Sequence, residues 1–157
     1  MPRNSLIFFP ALAIYILLMP ALLKSQTYTS YFTGDTDDVS PQTEFGICLM
    51  GGASENDQAM LRFLEYSGGG DIVVLRATGS DGYNNYLYSS LGAEVNSVET
   101  IVTESREAAQ DNYVVQQLKN AEAVWIAGGD QYDYIQFWKD SPLEDALNNH
   151  MNVKRAP

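Results

Sequence analysis

Short apolar runs alternate with amphipathic stretches along most of this chain. The runs at residues 45–50, 72–75 and 124–127 are almost uninterrupted, and they predict strands that are covered on both faces. Residues 95–102 alternate polar and apolar side chains, which predicts a strand closer to the edge of the sheet. A helical pattern follows each run. This order predicts an α/β fold, a doubly wound parallel sheet with right-handed crossovers and helices on both faces.

Capping residues mark where the predicted helices begin and end. Residues 67–70, a serine and three glycines, end the first helix with a left-handed turn. Ser105 begins the helix before the fourth strand, and Asp130 caps the short aromatic helix after it. Ser141, a following proline and Glu144 match a capping box, and they predict a last helix.

The first 25 residues differ from the rest of the chain. Arg3 precedes an uncharged apolar run over residues 6–23, and Lys24 ends that run. This order is typical of a secretory signal peptide at residues 1–25, and it predicts a secreted or periplasmic protein with no stable membrane association after cleavage. The run is also long enough for an alternative, a retained membrane anchor at 6–23, although two prolines interrupt its helix.

The chain after the signal peptide is strongly acidic. Residues 26–44 are polar and aperiodic, which predicts an exposed lead-in, and residues 45–157 are the α/β domain. Removing Arg3 and Lys24 takes the net charge from −11 to −13. Such a charge repels nucleic acid, so we expect no nucleic-acid partner. Cys48 is the only cysteine, which excludes an internal disulfide, and its apolar neighbours predict a buried thiol.

Two glycine pairs follow predicted strands. Gly51-Gly52 follow the first run, and Gly128-Gly129 follow the fourth strand. A strand–glycine–helix junction directs free N–H groups and a positive helix end into the crevice at the carboxyl edge of a parallel sheet. We therefore expect the two loops to face one crevice. The chain has no nucleotide-binding glycine signature and no metal-spaced His/Cys cluster, so the sequence predicts neither a cofactor nor a metal.

Three blocks of this sequence resemble the cyanophycinase-like serine peptidases. The blocks are GGASE at 51–55, DIVVLRATGSDGYN at 71–84 and AGGDQ at 127–131, and the similarity extends over residues 45–149. The resemblance implies a fold like the class I glutamine amidotransferases. It also implies a serine-type peptidase that cleaves aspartyl-rich peptides, with cyanophycin as the family's example of a substrate. A homodimer is compatible with this interpretation.

The resemblance further implies roles for residues of the last block. Gln131 and Asp130 would bind the substrate, and the Gly128-Gly129 turn would form the oxyanion hole with its backbone N–H groups. The family's nucleophile lies in a later Gly-x-Ser-x-Gly elbow, and no such pattern occurs in this chain. The chain is therefore similar to the N-terminal part of such an enzyme. We assign no catalytic residue in it and expect the chain alone to be inactive.

Two other interpretations are open at this stage. The chain could be a non-catalytic remnant that binds a peptide or an anion, or a nonfunctional fragment. His150 is the only histidine, and its place at the end of a polar helix predicts a surface residue that interacts with the helix dipole. Ser54 and Ser80 have no base in view, and helix capping explains Ser80.

Overall fold

The residues that the structure describes form one four-stranded sheet with helices on both faces. The structure is a computed structural model, and it describes residues 25–51 and 54–157. The strands are β1 (Thr29–Gly34), β2 (Asp71–Arg76), β3 (Ser97–Val102) and β4 (Ala123–Ile126). The helices are α1 (Asp57–Tyr66), α2 (Asn112–Asn120), α3 (Gln131–Trp138) and α4 (Pro142–Asn149). Shorter helical turns lie at Tyr86–Ser90, Ala108–Gln110 and His150–Lys154. The predicted α/β class is confirmed.

The sheet is mixed, and not parallel throughout. Its strand order is β1-β3-β2-β4. Strand β2 pairs in parallel with β3 and β4, whereas β1 runs antiparallel to β3. The prediction of a parallel sheet is therefore wrong at one edge. The edge-like position predicted for residues 95–102 is also wrong, because β1 covers the outer side of β3 and all six of its residues are buried.

Strand β1 comes from a segment that was predicted to be an exposed lead-in. Residues 29–34 read TSYFTG, a composition of β-branched and aromatic residues that suits a strand. Its register places Thr29 opposite Val102 and Gly34 opposite Ser97. Gly34 has φ +113°, and an added Cβ would lie 2.4 Å from the Asn96 carbonyl oxygen, so only glycine fits there. The prediction for 26–44 fails because pairing with β3 orders this polar segment.

The apolar run at residues 45–50 is not a strand. It pairs with none of the four strands. Ile47 is 63% exposed and Leu49 is 89% exposed. The run faces β4 across an apolar cleft. The prediction of a first strand here is wrong, because apolar composition favours a strand but does not supply a partner for its backbone hydrogen bonds.

The sheet separates two apolar cores, and each is covered by helices. Side chains alternate along β2, so that Ile72 and Val74 enter one core whereas Val73 and Leu75 enter the other. The first core packs against α1 and contains Trp125, and the second packs against α2 and α4 and contains Trp138. The prediction that residues 72–75 are covered on both faces is confirmed.

Most predicted helix ends are observed. Asp130 caps α3 by accepting a hydrogen bond from the Tyr132 N–H (2.9 Å), and Ser141 caps α4 by accepting one from the Glu144 N–H (3.3 Å). Glycines 68 and 69 have φ values of +67° and +81°, which is the predicted left-handed end of α1. The helix predicted from Ser105 begins later, at Asn112, because Asp111 supplies its cap.

None of the helices in the described part of the chain is long and apolar enough to cross a membrane. The predicted signal peptide at 1–25 and the alternative anchor at 6–23 lie outside the described residues, except for Ser25. Both stay predictions.

A buried carboxylate links β1, β3 and α2. Glu99 is 2% exposed and accepts hydrogen bonds from the hydroxyls of Ser30 and Tyr113. Burial raises the pKa of Glu99, although the two hydroxyls oppose this shift. Burial, and then the hydrogen bond to Glu99, raises the pKa of Tyr113 as well. The folded protein therefore favours the protonated form of Glu99.

Replacing Glu99 with glutamine is expected to stabilise the protein at pH 7 by about 1 kcal/mol. Because the pKa of Glu99 is higher in the folded than in the unfolded state, its contribution to stability is complete below its ordinary pKa and is lost as the pH rises through the folded pKa. Glutamine keeps the acceptor oxygen and does not titrate. Urea unfolding from pH 4 to 8 should show a difference that grows with pH, while the exposed control Glu104→Gln stays close to wild type.

Candidate functional site

A crevice of about 310 Å³ lies at the carboxyl ends of β2 and β4. Gly51 and Gly128 both line it, so one glycine of each pair faces the same crevice, as the sequence predicts. The remaining lining residues are Met50, Ser54, Glu55, Arg76, Tyr83, Trp125 and Ile126. The carboxyl ends of the parallel strands β2 and β4 meet there, which places Arg76 near Gly128, whereas the loop at Gly51 follows no strand.

The glycine turn after β4 is fixed by a tyrosine. The Tyr134 hydroxyl donates to the Ala127 carbonyl oxygen at 2.7 Å. A Cβ added to Gly129 would lie 3.0 Å from that hydroxyl, so a larger residue there would have to displace the Tyr134 ring. Within the described part, the backbone N–H groups of Gly128 and Gly129 donate to no protein acceptor. Among the described residues, no acceptor therefore competes with a ligand for these two N–H groups.

The other two predicted site residues lie just past this turn. The carboxylate of Asp130 is exposed and caps α3, and Gln131 is the first, exposed residue of that helix. Gly128 lines the crevice, whereas Gly129, Asp130 and Gln131 do not. The substrate-binding roles of Asp130 and Gln131, and the oxyanion role of the glycines, stay predictions.

Polar groups that the sequence analysis did not assign form one wall of the crevice. The Tyr83 hydroxyl donates to Glu55, and burial, followed by this bond, raises the pKa of Tyr83. The Arg76 guanidinium lies 6.0 Å from the centroid of the Tyr83 ring. Nearby, the Tyr86 hydroxyl donates to Asp57 at 2.8 Å, and burial together with this bond raises the pKa of Tyr86 to about 12. The position of Arg76 directly after a buried strand was the signal that could have identified it.

Trp125 forms the floor between the crevice and the first core. It is 8% exposed, and its ring packs against Phe63 and Tyr83 with centroid separations of 5.5 and 6.2 Å. Its indole N–H is buried and forms no well-aligned hydrogen bond in the described part of the chain, although it lies close enough to the Tyr83 hydroxyl to counteract the rise of the Tyr83 pKa. A buried donor without a well-aligned acceptor is uncommon in a folded protein, so this group is a candidate for contact with a ligand.

His150 lies away from this crevice. It is 3% exposed, and its Nε2 lies 2.9 Å from the Pro157 carbonyl oxygen. Burial lowers the pKa of His150, which favours the neutral ring. The prediction of a surface histidine is wrong, because the helical turn after α4 folds the ring inward. Within residues 25–51 and 54–157, no serine or cysteine side chain hydrogen-bonds to it.

An apolar cleft of about 320 Å³ separates residues 46–50 from β4, and His150 lines it. Cys48 lines the same cleft and is only partly buried, so the prediction of a buried thiol is wrong. The Val124 N–H points across β4's outer edge and donates to the Pro157 carbonyl oxygen at 2.9 Å. Among the described residues, no strand pairs with this edge of β4. In the described ranges, no group of acidic, histidine or cysteine side chains is arranged to hold a metal ion.

Comparison of the chain with models of known protein families gives no match, and comparison with curated proteins gives none either.

Proposed function

We propose that this chain is the substrate-binding, N-terminal part of an exported serine-type peptidase of cyanophycinase type, which cleaves aspartyl-rich peptides. The observation that best supports this proposal is the crevice at the carboxyl ends of β2 and β4. Two glycine loops meet there, and Gly128, whose N–H donates to no acceptor among the described residues, lines it. Preorganised backbone donors are what acyl transfer needs at the developing oxyanion.

The proposal includes a doubly wound fold like that of the class I glutamine amidotransferases. The parallel strands β3, β2 and β4, with helices on both faces of the sheet, are compatible with it. In such a fold, a strand that carries the nucleophile would pair with the outer edge of β4. No strand within residues 25–51 and 54–157 pairs with that edge, and Pro157 forms one hydrogen bond with it through Val124.

The chemistry also needs a nucleophile and a base. Acyl transfer requires an activated nucleophile, a group that accepts its proton, and donors for the oxyanion. Only the donors are found among the described residues, since the ring of His150 is turned to Pro157. The chain therefore depends on an added segment that contains a Gly-x-Ser-x-Gly elbow and a histidine.

The full chain alone is expected to be inert toward cyanophycin, toward aspartyl dipeptides and toward a serine-reactive phosphonate probe. Fusing it after Pro157 to the elbow-containing C-terminal part of a cyanophycinase should produce hydrolysis of at least one of these substrates. The same fusion with its elbow serine changed to alanine is the control. Labelling of Ser54 or Ser80 by the probe in the unfused chain would show that the assignment to this family is wrong.

The free donors of the crevice also support a second function, the binding of a peptide or an anion without catalysis. A hydrolysis assay of the fused protein distinguishes the catalytic function from the binding function. If the fused protein folds, binds an aspartyl peptide and hydrolyses none of the substrates, the binding function is the correct one.

A further inference from the structure

One cationic side chain faces the crevice. Arg76 is the only lysine or arginine among the lining residues. Its Nε donates to the Thr78 carbonyl oxygen (3.0 Å), and its Nη1 donates to that of Ser80 (3.1 Å). These two bonds hold the guanidinium at the end of β2. Within the described residues they leave Nη2 and one hydrogen of Nη1 without an acceptor.

The described part of the chain gives Arg76 no carboxylate. By contrast, the guanidinium of Arg62 lies 2.8 Å from Glu65, and the ammonium of Lys154 lies 3.3 Å from Glu122. Glu55 lines the same crevice, but its carboxylate accepts from the Tyr83 hydroxyl. A fixed guanidinium with free N–H groups is well suited to a carboxylate, which it can bind through two parallel hydrogen bonds.

Other donors lie on the same walls. The Gly128 N–H has no acceptor in the described part, and the buried indole N–H of Trp125 has no well-aligned one there. The crevice volume of about 310 Å³ is at the lower end of the range for small-molecule sites. It suits one carboxylate-bearing group of a peptide better than a large ligand.

We infer that Arg76 is a specificity-determining residue that binds a carboxylate of the peptide substrate in this crevice. The inference rests on the proposed function for the peptide and names the group that selects it. The carboxylate comes either from an aspartyl side chain or from the peptide's own C-terminus. Both sources present the same planar acceptor to the free N–H groups of Arg76.

The two tryptophans provide a direct measurement on the full chain. Trp125 lines the crevice, whereas Trp138 lies in the opposite core and donates its indole N–H to Thr103 (2.8 Å). In a ¹⁵N-labelled sample, acetyl-tetra-aspartyl amide should shift the Trp125 indole signal and leave that of Trp138 unchanged. Acetyl-tetra-asparagine with a free C-terminus tests the terminal carboxylate, and its amide is the uncharged control.

Arg76→Gln should weaken the binding of the carboxylate peptides by about tenfold. Arg76→Lys should bind more weakly than wild type but more tightly than Arg76→Gln, because lysine keeps the charge and loses the planar fork. Arg62→Gln is the matched control, since it removes an exposed arginine on α1 and should leave binding unchanged. An unshifted Trp138 signal in each variant checks that the fold is intact.

The inference is overturned if neither carboxylate peptide shifts Trp125, if the uncharged amide binds equally well, or if Arg76→Gln binds as wild type does. This binding assay needs no nucleophile, so its outcome is independent of hydrolysis. Binding through Arg76 with no hydrolysis by the fused enzyme would refute the proposed function alone. Hydrolysis that is indifferent to Arg76 would refute only the inference.

Discussion

Replacing Lys154 with methionine is expected to lower the free energy of unfolding by about 3 kcal/mol at pH 7. The Lys154 ammonium lies 3.3 Å from Glu122 and donates to the carbonyl oxygens of Asn120 (2.9 Å) and Ala121 (2.6 Å). Methionine has a similar length but no charge and no donor. It would leave a buried carboxylate and the end of α2 without their main partner.

The burial of Glu122 explains why this loss of stability is large. Glu122 is 1% exposed, and its second oxygen accepts from the Asp71 N–H at 3.0 Å. Burial raises the pKa of Glu122, and the Asp71 N–H and Lys154 counteract that shift. Removing one partner of a buried ion pair costs more than removing both, because the remaining charge has lost its compensation.

The dependence on pH separates this electrostatic effect from lost packing. Without Lys154, the folded-state pKa of Glu122 should rise further. A carboxylate with a raised pKa contributes its full stability below its ordinary pKa and loses it as the pH rises through the folded pKa. Urea unfolding of Lys154→Met should therefore show its largest deficit near pH 7 and a smaller one near pH 4.

One further variant tests the same ion pair, and another serves as its control. Lys154→Met combined with Glu122→Gln should be more stable at pH 7 than Lys154→Met alone, since no uncompensated charge remains. Lys119→Met, an exposed lysine at the end of α2, should change stability by less than about 0.5 kcal/mol. If Lys119→Met and Lys154→Met cost the same, the ion pair does not stabilise the fold.

Gly129→Val is expected to lower kcat/KM of the fused enzyme on the order of 100-fold. A Cβ at Gly129 would lie 3.0 Å from the Tyr134 hydroxyl, and a branched side chain would displace the ring further. The hydroxyl would then lose its bond to the Ala127 carbonyl oxygen, which fixes the turn. The amides of the turn would no longer point at the developing negative charge.

Tyr134→Phe tests the cause of that effect. It removes the hydrogen bond to the Ala127 carbonyl oxygen without adding bulk at Gly129. It should therefore also lower kcat/KM, but by less than Gly129→Val does. Gln131→Ala should lower kcat/KM on the order of tenfold, the value of one hydrogen bond to substrate. Gln136→Ala, an exposed glutamine on the same helix, is its matched control and should leave the kinetics unchanged. A silent Gln131→Ala beside an active fusion would refute only the assignment of Gln131.

Local chemistry let the sequence alone determine most of the elements. The runs at 72–75 and 124–127 form strands, and each observed strand end lies within one residue of the predicted one. Buried strands need continuous apolar side chains, which is why these runs were informative. The caps at Asp130 and Ser141 were predictable, since each one depends on a hydrogen bond to a residue two or three positions away. The shared crevice of the glycine loops was predicted from a parallel order of strands, although the loop at Gly51 follows no strand.

Only the tertiary structure decided how distant segments pair. Local composition favours a strand at the apolar residues 45–50, which form none, over the more polar residues 29–34, which form β1. The outcome is different because residues 29–34 meet the outer side of β3, 63 to 73 positions further on, as in the pairings of Gly34 with Ser97 and of Thr29 with Val102.

 The sequence shows which segments can form strands, whereas the free energy of a strand comes mostly from its partner's hydrogen bonds and the surface that both of them bury.

The same division applies to the site. The sequence identified the Gly128-Gly129 turn, because a glycine pair between a strand and a capped helix is a local signal. It could not predict that Arg76 lies beside Tyr83, because that contact joins the ends of different elements. Nor could it predict that the Trp125 indole N–H is buried without a well-aligned acceptor among the described residues. His150 was predicted at the surface and is buried, because the turn at His150–Lys154 folds its ring toward Pro157. Local hydrogen bonds and side-chain periodicity can be predicted from the sequence, whereas the convergence of distant side chains depends on how the sheet and its helices pack.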